Sequence, residues 1–151
     1  MSEAKIISRN KKIFRNYEIL DKLEAGIVLV GTEIKSVRVA SVSFRDSFID
    51  IIKGEMWLVG FYIGHYTSGN IWNHDESRKR KLLLNKREIR KWDSKVKERG
   101  FTVVPIDIYL KNGKAKMTIG LARGKTGYDR RVDIKERDMK RETEKYTKSL
   151  R

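Results

Sequence analysis

Two segments hold residues whose types and spacing could do chemistry. In His74-Asp75-Glu76 an imidazole adjoins two carboxylates, and such groups serve as general acids and bases. Residues adjacent in a chain seldom converge on one substrate, however, and the only other histidine is His65. The favoured interpretation is a loop rich in hydrogen-bonding groups, with catalysis by His74 as the open alternative.

The second segment, Gly120-Leu-Ala-Arg-Gly124-Lys125-Thr126, resembles the phosphate-binding loop that follows a strand in nucleotide hydrolases. That loop needs one residue more between its glycines than the three present here. A polar, basic stretch follows it, where an apolar helix should pack on the sheet. Nucleotide hydrolysis is therefore disfavoured, and the segment is interpreted as the exit from a β domain.

The charge balance indicates a polyanionic partner, since 35 Lys and Arg against 20 Asp and Glu give a net charge of +15 on 151 residues. The range 78–99 alone holds 11 basic and 3 acidic residues, next to Leu82-Leu83-Leu84. Because this apolar run must anchor the cations to a core, RNA contact is favoured over an inert solvated face. Tyr66 and Trp72 lie in a polar loop, where stacking on unpaired bases and plain surface positions are equally favoured.

Composition excludes several classes of protein. The absence of cysteine excludes disulfide scaffolds, thiolate zinc sites and cysteine nucleophiles. A metal site built on two histidines is disfavoured, and no cofactor is expected. The first ten residues lack the apolar segment of a signal peptide, and no apolar run is long enough to cross a bilayer. We therefore expect a cytoplasmic protein without a membrane partner, and its 39% hydrophobic residues suffice for a core.

The hydrophobic pattern predicts mostly strands. They are expected at 17–23, 26–37, 48–52, 56–63, 101–110 and 115–122. The dipeptide Asn112-Gly113 and the tripeptide Lys53-Gly54-Glu55 are typical of hairpin turns. A further turn is expected at 24–26, and Pro105 indicates a sheet edge or a bulge.

One helix is predicted between the two hairpins. Asn85 is its N-cap, Ile89, Trp92 and Val96 form its apolar stripe, and Gly100 ends it. A shorter helix is predicted at 44–48. The other aromatic residues expected in the core are Trp57, Phe61, Phe101 and Tyr109.

Together these elements predict a mainly β fold. The expected architecture is a small antiparallel β-barrel like the oligonucleotide/oligosaccharide-binding (OB) fold, with one to three helices and a basic C-terminal tail. The barrel is expected to occupy residues 1–122, with 1–16 as a short basic arm. Residues 123–151 hold 11 basic and 6 acidic residues and few large apolar ones. This tail is predicted to be disordered alone and helical on an anionic partner.

A series of short motifs runs in order from about Asn10 to Arg141. They include Asn10-Lys11-Lys12, Glu24-Ala25-Gly26, Gly31-Thr-Glu33-Ile-Lys35-Ser36, Gly69-Asn70, Asn73-His74-Asp75, Arg80-Lys81-Leu82-Leu83-Leu84, Gly124-Lys125, Tyr128-Asp129-Arg130-Arg131 and Ile134-Lys135-Glu136-Arg137-Asp138. In content and spacing these motifs resemble the small protein B family, the SsrA-binding proteins of bacterial trans-translation.

The resemblance implies an RNA-binding adaptor with no catalytic residues. Its partner would be transfer-messenger RNA (SsrA RNA), whose tRNA-like domain the barrel would hold and deliver to stalled ribosomes. Its tail would occupy the vacant mRNA channel near the decoding centre, against small-subunit rRNA. Elongation factor Tu would be an indirect partner through alanyl-charged tmRNA. The alternatives are a small RNA nuclease or RNA-modifying enzyme, and a ribosomal structural protein.

The resemblance also implies two sets of site residues. The RNA-binding set is Asn10, Lys11, Glu24, Lys35, Asn70, His74, Arg78, Arg80, Lys81 and Leu83. The ribosome-binding set in the tail is Lys125, Tyr128, Asp129, Arg130, Arg131, Ile134, Lys135 and Arg137. Within the first set, the carboxylate of Glu24 would accept protons from base amino groups or 2′-hydroxyls.

Overall fold

The computed structural model describes residues 4–66 and 73–124, which form nine strands and three helices. The strands are β1 (Lys5–Arg9), β2 (Tyr17–Ile27), β3 (Val42–Ser43), β4 (Phe48–Ile52), β5 (Glu55–Val59), β6 (Tyr62–Ile63), β7 (Arg80–Leu83), β8 (Thr102–Lys111) and β9 (Lys114–Gly124). The helices are α1 (Ile13–Asn16), α2 (Gly31–Arg38) and α3 (Lys86–Arg99).

A seven-stranded antiparallel sheet in the order β1-β8-β4-β5-β7-β2-β9 closes on itself, because β8 also pairs with β9. The strands β1 and β4 share one edge of β8, where Ile6 faces Tyr109 and Ile49 faces Val103. The short strands β3 and β6 form a second, two-stranded sheet. The predicted mainly β fold, an antiparallel barrel with up to three helices, is confirmed.

Both predicted hairpins are present, with β4 paired to β5 and β8 paired to β9. Lys53 and Gly54 have φ angles of 50° and 76°, and Asn112 and Gly113 have 54° and 74°. Positive φ at both central residues is the requirement of a type I′ turn, whose twist matches that of the flanking strands. The register of β8 against β9 shifts just after Pro105, so the predicted bulge is confirmed.

The predicted helix is α3, and its ends follow local rules. The side chain of Asn85 accepts the backbone N–H of Arg87 at 2.8 Å, which satisfies a donor that the first turn leaves open. Gly100 adopts a left-handed conformation with φ 69° and ends the helix. Trp92 and Ile89 are buried and fasten α3 to the barrel interior.

The prediction for residues 17–37 was wrong in two respects. A single strand, β2, runs through the turn expected at 24–26, and α2 replaces the strand expected after it. Buried residues in α2 are Glu33, Ser36 and Val37, three and four positions apart, which is helical spacing. In an alternating strand the carboxylate of Glu33 would face the solvent, but it is buried in α2. The helical spacing is therefore not visible in the hydrophobic pattern.

The structure differs from the predicted elements in three smaller places. The basic arm at 1–16 contains strand β1, paired with β8, and the one-turn helix α1. In place of a helix at 44–48, Arg45 lies in a turn with φ 49° between β3 and β4. The barrel also extends past residue 122, because β9 ends at Gly124. Residues 125–151, most of the predicted tail, lie outside the described ranges.

The core has a large cluster inside the barrel and a small one on its outer surface. Trp92, Phe61 and the inward residues of β5, β7, β8 and β9 form the large cluster, while Trp57 and Phe101 are half-buried. Ile13 of α1 packs with Val104 and Ala122 in the small cluster. Helix α1 therefore covers the outer face of β8 and β9 far from their turn and does not reach the turn end. No helix of the described ranges is long and apolar enough to cross a bilayer.

Candidate RNA-binding surface

The outer face of the barrel carries a row of cross-strand neighbours at the turn end of β8 and β9. Leu83 of β7 faces Gly26 of β2, Gly26 faces Lys116 of β9, and Lys116 faces Tyr109 of β8. Leu83 is 53% exposed, although it is a large apolar residue. A glycine beneath it, with Leu83 Cβ 3.5 Å from where a Cβ would stand, keeps this part of the face flat.

Glu24 lies beside this row, facing Thr118 across the β2–β9 pairing. Its carboxylate accepts a hydrogen bond from the hydroxyl of Tyr109, and Lys111 Nζ lies 3.9 Å from the same oxygen. Burial raises the pKa of Tyr109 and the Glu24 carboxylate raises it further, so the phenol is a donor at neutral pH. Tyr109 is thus buried as predicted, but it lies outside the barrel cluster.

A cleft of about 250 Å³ opens next to Glu24. It is lined by Glu24, Lys111, Asn112, Lys114 and Lys116. Three lysines and one carboxylate lining the same cleft can bind a phosphate while still offering an acceptor to a neighbouring donor. A backbone that combines phosphates with hydroxyl donors is that of RNA.

Asn10 and Lys11 lie beyond the end of β1, on the other edge of β8. The Asn10 amide nitrogen donates to the carbonyl of Pro105 at 3.0 Å, and its backbone N–H donates to that of Ile106 at 2.8 Å. Asn10 therefore holds the bulge in β8, while Lys11 is exposed. Both are separated from Glu24 by the width of β8 and β9.

A second group of predicted residues surrounds Glu33 of α2, which is completely buried. Arg80 Nε lies 2.7 Å from Glu33 Oε2, and Arg78 Nη2 lies 2.6 Å from Oε1. Burial opposes ionisation of Glu33, but hydrogen bonds from Arg78, from the Val30 N–H and from Arg80 outweigh it, so its pKa is lowered. Arg80 is also fully buried and donates to the carbonyls of Phe61 and Glu76. Its guanidinium makes internal hydrogen bonds and is not accessible to RNA.

His74 is likewise an interior residue, 8% exposed. Its Nε2 lies 2.9 Å from the carbonyl of Ile63, which can only accept, so Nε2 carries the proton. Its Nδ1 then accepts from the hydroxyl of Thr32 in α2 at 2.8 Å. The two ring nitrogens thus bind the segment before β7 to β6 and to α2.

The structure therefore sorts the predicted RNA-binding residues into separate places. Glu24, Leu83 and Lys81 share the outer face, with Lys81 Nζ 2.9 Å from Glu55. Lys35 is exposed on α2, Arg78 is half-buried, and Arg80 and His74 are interior. Asn70 and the predicted tail residues Lys125, Tyr128, Asp129, Arg130, Arg131, Ile134, Lys135 and Arg137 lie outside the described ranges.

Sequence reasoning missed several residues of the cleft. Lys111, Lys114 and Lys116 flank a hairpin turn that the sequence does predict, and their spacing around Asn112-Gly113 was the available signal. Tyr109 was assigned to the core on its apolar neighbours alone. Its partner Glu24 is 85 residues away in the chain, so no local pattern could pair them.

Several known proteins are similar to this chain. A family model described as SmpB protein matches residues 7–149. An SsrA-binding protein of Sulfurihydrogenibium sp. is 54% identical over 145 residues, covering 96% of this chain and 95% of the relative. One from Streptococcus mutans is 50% identical over 149 residues, covering 99% of this chain and 96% of the relative. A chain in the solved structure "tmRNA-SmpB: a journey to the center of the bacterial ribosome" has a TM-score of 0.65 and 42% identity, covering 93% of this chain and 95% of that one.

Glu33→Gln is expected to lower the free energy of unfolding by about 3–5 kcal/mol, because it leaves the buried Arg80 charge without its counterion. Urea denaturation at pH 7 measures the change. Glu55→Gln is the matched control, since it breaks a pair with Lys81 that is 40–45% exposed and is expected to cost at most about 1 kcal/mol. Equal effects of the two substitutions would contradict the account of Glu33.

The lowered pKa of Glu33 predicts a pH dependence of stability. Above its ordinary value of 4.5 the carboxylate is ionised whether folded or unfolded, and its stabilising contribution is complete. As pH falls below 4.5 towards the lower folded pKa, only the unfolded chain takes up the proton and the contribution is lost. The stability difference between the wild type and Glu33→Gln should therefore be constant from pH 7 to about 5 and shrink below that. A difference that grew with acid would contradict the assignment.

Proposed function

The chain belongs to the SmpB protein family, and we propose that it is an RNA-binding adaptor of trans-translation. It binds the tRNA-like domain of transfer-messenger RNA, the SsrA RNA, and delivers it to stalled ribosomes. The observation that carries this function is identity of 50% or more, over 96% and 99% of the chain, to relatives named SsrA-binding protein. The match to a tmRNA-SmpB structure supports the ribosome as the second partner.

The outer face suits recognition of a folded RNA by shape. Glu24 offers a carboxylate among lysines, and Leu83 offers an exposed apolar contact beside the flat position of Gly26. Phosphates fix the position of an RNA on such a face, while an acceptor for 2′-hydroxyl or amino protons distinguishes the backbone and the base edges. We assign the first contacts with the tRNA-like domain to this face, with Lys81 and Lys35 at its border.

The buried residues of the predicted RNA-binding set position other residues and do not contact RNA themselves. Arg80, His74 and Glu33 hold α2 against the segment that leads into β7, and β7 places Leu83. Asn10 acts in the same way by holding the bulge in β8. Their contribution to RNA binding is positional.

For the tail, we propose the ribosomal role that the resemblance implies. Residues 123–151 carry a net charge of +5 and include the segment 128–137, which would lie in the vacant mRNA channel near the decoding centre and be helical there. The barrel then comprises residues 1–122 together with the last two residues of β9. Tyr128 would stack on an rRNA base, and Arg130 and Arg131 would pair phosphates.

We propose no catalytic step. The one histidine placed beside carboxylates in the sequence uses both ring nitrogens internally, which supports a structural role rather than general acid and base work. Elongation factor Tu enters indirectly, by binding the alanyl-charged tmRNA. With these partners, we propose that the protein acts in the cytoplasm.

Two variants are expected to separate the surfaces. Leu83→Asn, at a 53% exposed position, should weaken binding of the isolated tRNA-like domain about tenfold, because an apolar contact is replaced by a polar amide. Reversing Arg130 and Arg131 to Glu should leave that affinity nearly unchanged and abolish peptide tagging on stalled ribosomes. Filter binding and an in vitro tagging assay measure the two quantities. Comparable losses of RNA affinity in both variants would contradict the assignment of RNA binding to the barrel and of the ribosomal role to the tail.

A further inference from the structure

We propose that Tyr109, Lys111, Lys114 and Lys116 form with Glu24 a subsite for one ribonucleotide, in which the Tyr109 phenol orients the Glu24 carboxylate towards a ribose 2′-hydroxyl. We call these five residues the hairpin subsite. The inference rests on the proposed function, since it deepens how the outer face recognises the tRNA-like domain. Four of its five members come from the β8–β9 hairpin and were absent from the predicted site.

The position of Tyr109 is fixed by the sheet. It is 8% exposed and stands between Lys116 of β9 and Ile6 of β1, its two cross-strand neighbours. From there its hydroxyl reaches across β9 to Glu24 on β2. A ring held on both sides can direct a hydrogen bond at little further cost in entropy.

The two carboxylate oxygens of Glu24 have different contacts. The Tyr109 hydroxyl and Lys111 Nζ both approach Oε2. Within residues 4–66 and 73–124 no donor bonds Oε1, and the Glu24 side chain is 45% exposed at the cleft. One oxygen is thus engaged by the protein, and the other is left to accept a hydrogen bond from a ligand.

The size and charge of the cleft favour a segment of a polymer. Its volume of about 250 Å³ is smaller than that of the pockets that enclose free small molecules. Lys111, Lys114 and Lys116 surround it, so a phosphate is attracted, while Glu24 repels any phosphate that approaches without an accompanying donor.

A ribose joined to its phosphates meets both conditions. The 2′-hydroxyl is a donor on the sugar itself, next to the phosphate, and it is the group that DNA lacks. A base amino group could also bond Glu24, but in a stacked duplex it lies on the base edge, away from the phosphates. The hairpin subsite therefore reads the sugar, and it makes the outer face selective for RNA.

The test couples a protein variant to single-atom changes in the RNA. Tyr109→Phe keeps the ring and removes the hydroxyl, so the Glu24 carboxylate is no longer oriented towards the RNA. Affinity for the tRNA-like domain should fall about tenfold, which corresponds to the loss of one hydrogen bond between the 2′-hydroxyl and the charged Glu24. A series of tRNA-like RNAs, each with one 2′-deoxy nucleotide, should contain one position that costs the wild type a similar factor. That position should cost Tyr109→Phe and Glu24→Ala little more, because the hydrogen bond from the 2′-hydroxyl to Glu24 is already lost in both variants.

Two control variants test whether the effects are specific to the hairpin subsite. Tyr17→Phe removes a phenolic hydroxyl from the far end of β2 and should leave both affinity and the 2′-deoxy profile unchanged. Lys114→Gln should reduce the salt dependence of binding by about one phosphate contact without removing the sensitive 2′-deoxy position. Urea denaturation of each variant confirms that it remains folded.

The outcomes separate this inference from the proposed function. If the wild type fails to bind the tRNA-like domain, the proposed function fails and the hairpin subsite with it. If the wild type binds but no 2′-deoxy position depends on Tyr109 and Glu24, only the hairpin subsite is overturned. A sensitivity that follows base substitutions instead of 2′-deoxy substitutions would equally overturn it, in favour of base recognition by Glu24.

Discussion

The buried contact between Glu33 and Arg80 is the constraint on which the rest of the structure depends. Both side chains are completely buried, so each loses its hydration on folding. Desolvation of an ion pair is offset only when the geometry is good and the remaining donors and acceptors are satisfied. Here Glu33 also binds Arg78 and the Val30 N–H, and Arg80 also donates to the carbonyls of Phe61 and Glu76.

This network joins parts of the chain that local structure would leave apart. Glu33 lies on α2 and Arg80 begins β7, and the bond between them spans 47 residues. Around it, His74 bonds Thr32, and the hydroxyl of Ser36 donates to the carbonyl of Gly64 at 2.7 Å. Helix α2 is thereby held to the segment between β6 and β7. With β7 fixed, its alternation turns Leu82 inward and Leu83 outward, to the face where Glu24 and the lysines of the hairpin stand.

The sequence predicts what local rules decide and misses what distant partners decide. The two type I′ hairpins and α3 follow from residues within a few positions of one another, and all three were predicted. Helix α2 was read as a strand because its buried residue is a carboxylate, which alternation rules count as polar and exposed. Arg80 and His74 were assigned to the RNA by the motif resemblance, but both are buried. Motif resemblance identifies residues that matter, but only coordinates separate those that touch a ligand from those that position others.

The distribution of charge gives the account its most direct test. The net charge of +15 is spread over the whole chain, whereas the outer face presents a few lysines around one carboxylate. Specific binding of the tRNA-like domain should therefore involve only part of the positive charge of the chain. The measurement is the affinity of the full chain for the isolated tRNA-like domain as a function of salt, beside a duplex RNA of equal length. The logarithm of the affinity should fall with the logarithm of the salt concentration at a slope that corresponds to about four to six phosphate contacts. At every salt concentration the affinity for the tRNA-like domain should be well above that for the duplex. A slope near −10, or equal affinity for the two RNAs, would mean that the whole basic surface binds without recognition and would contradict it.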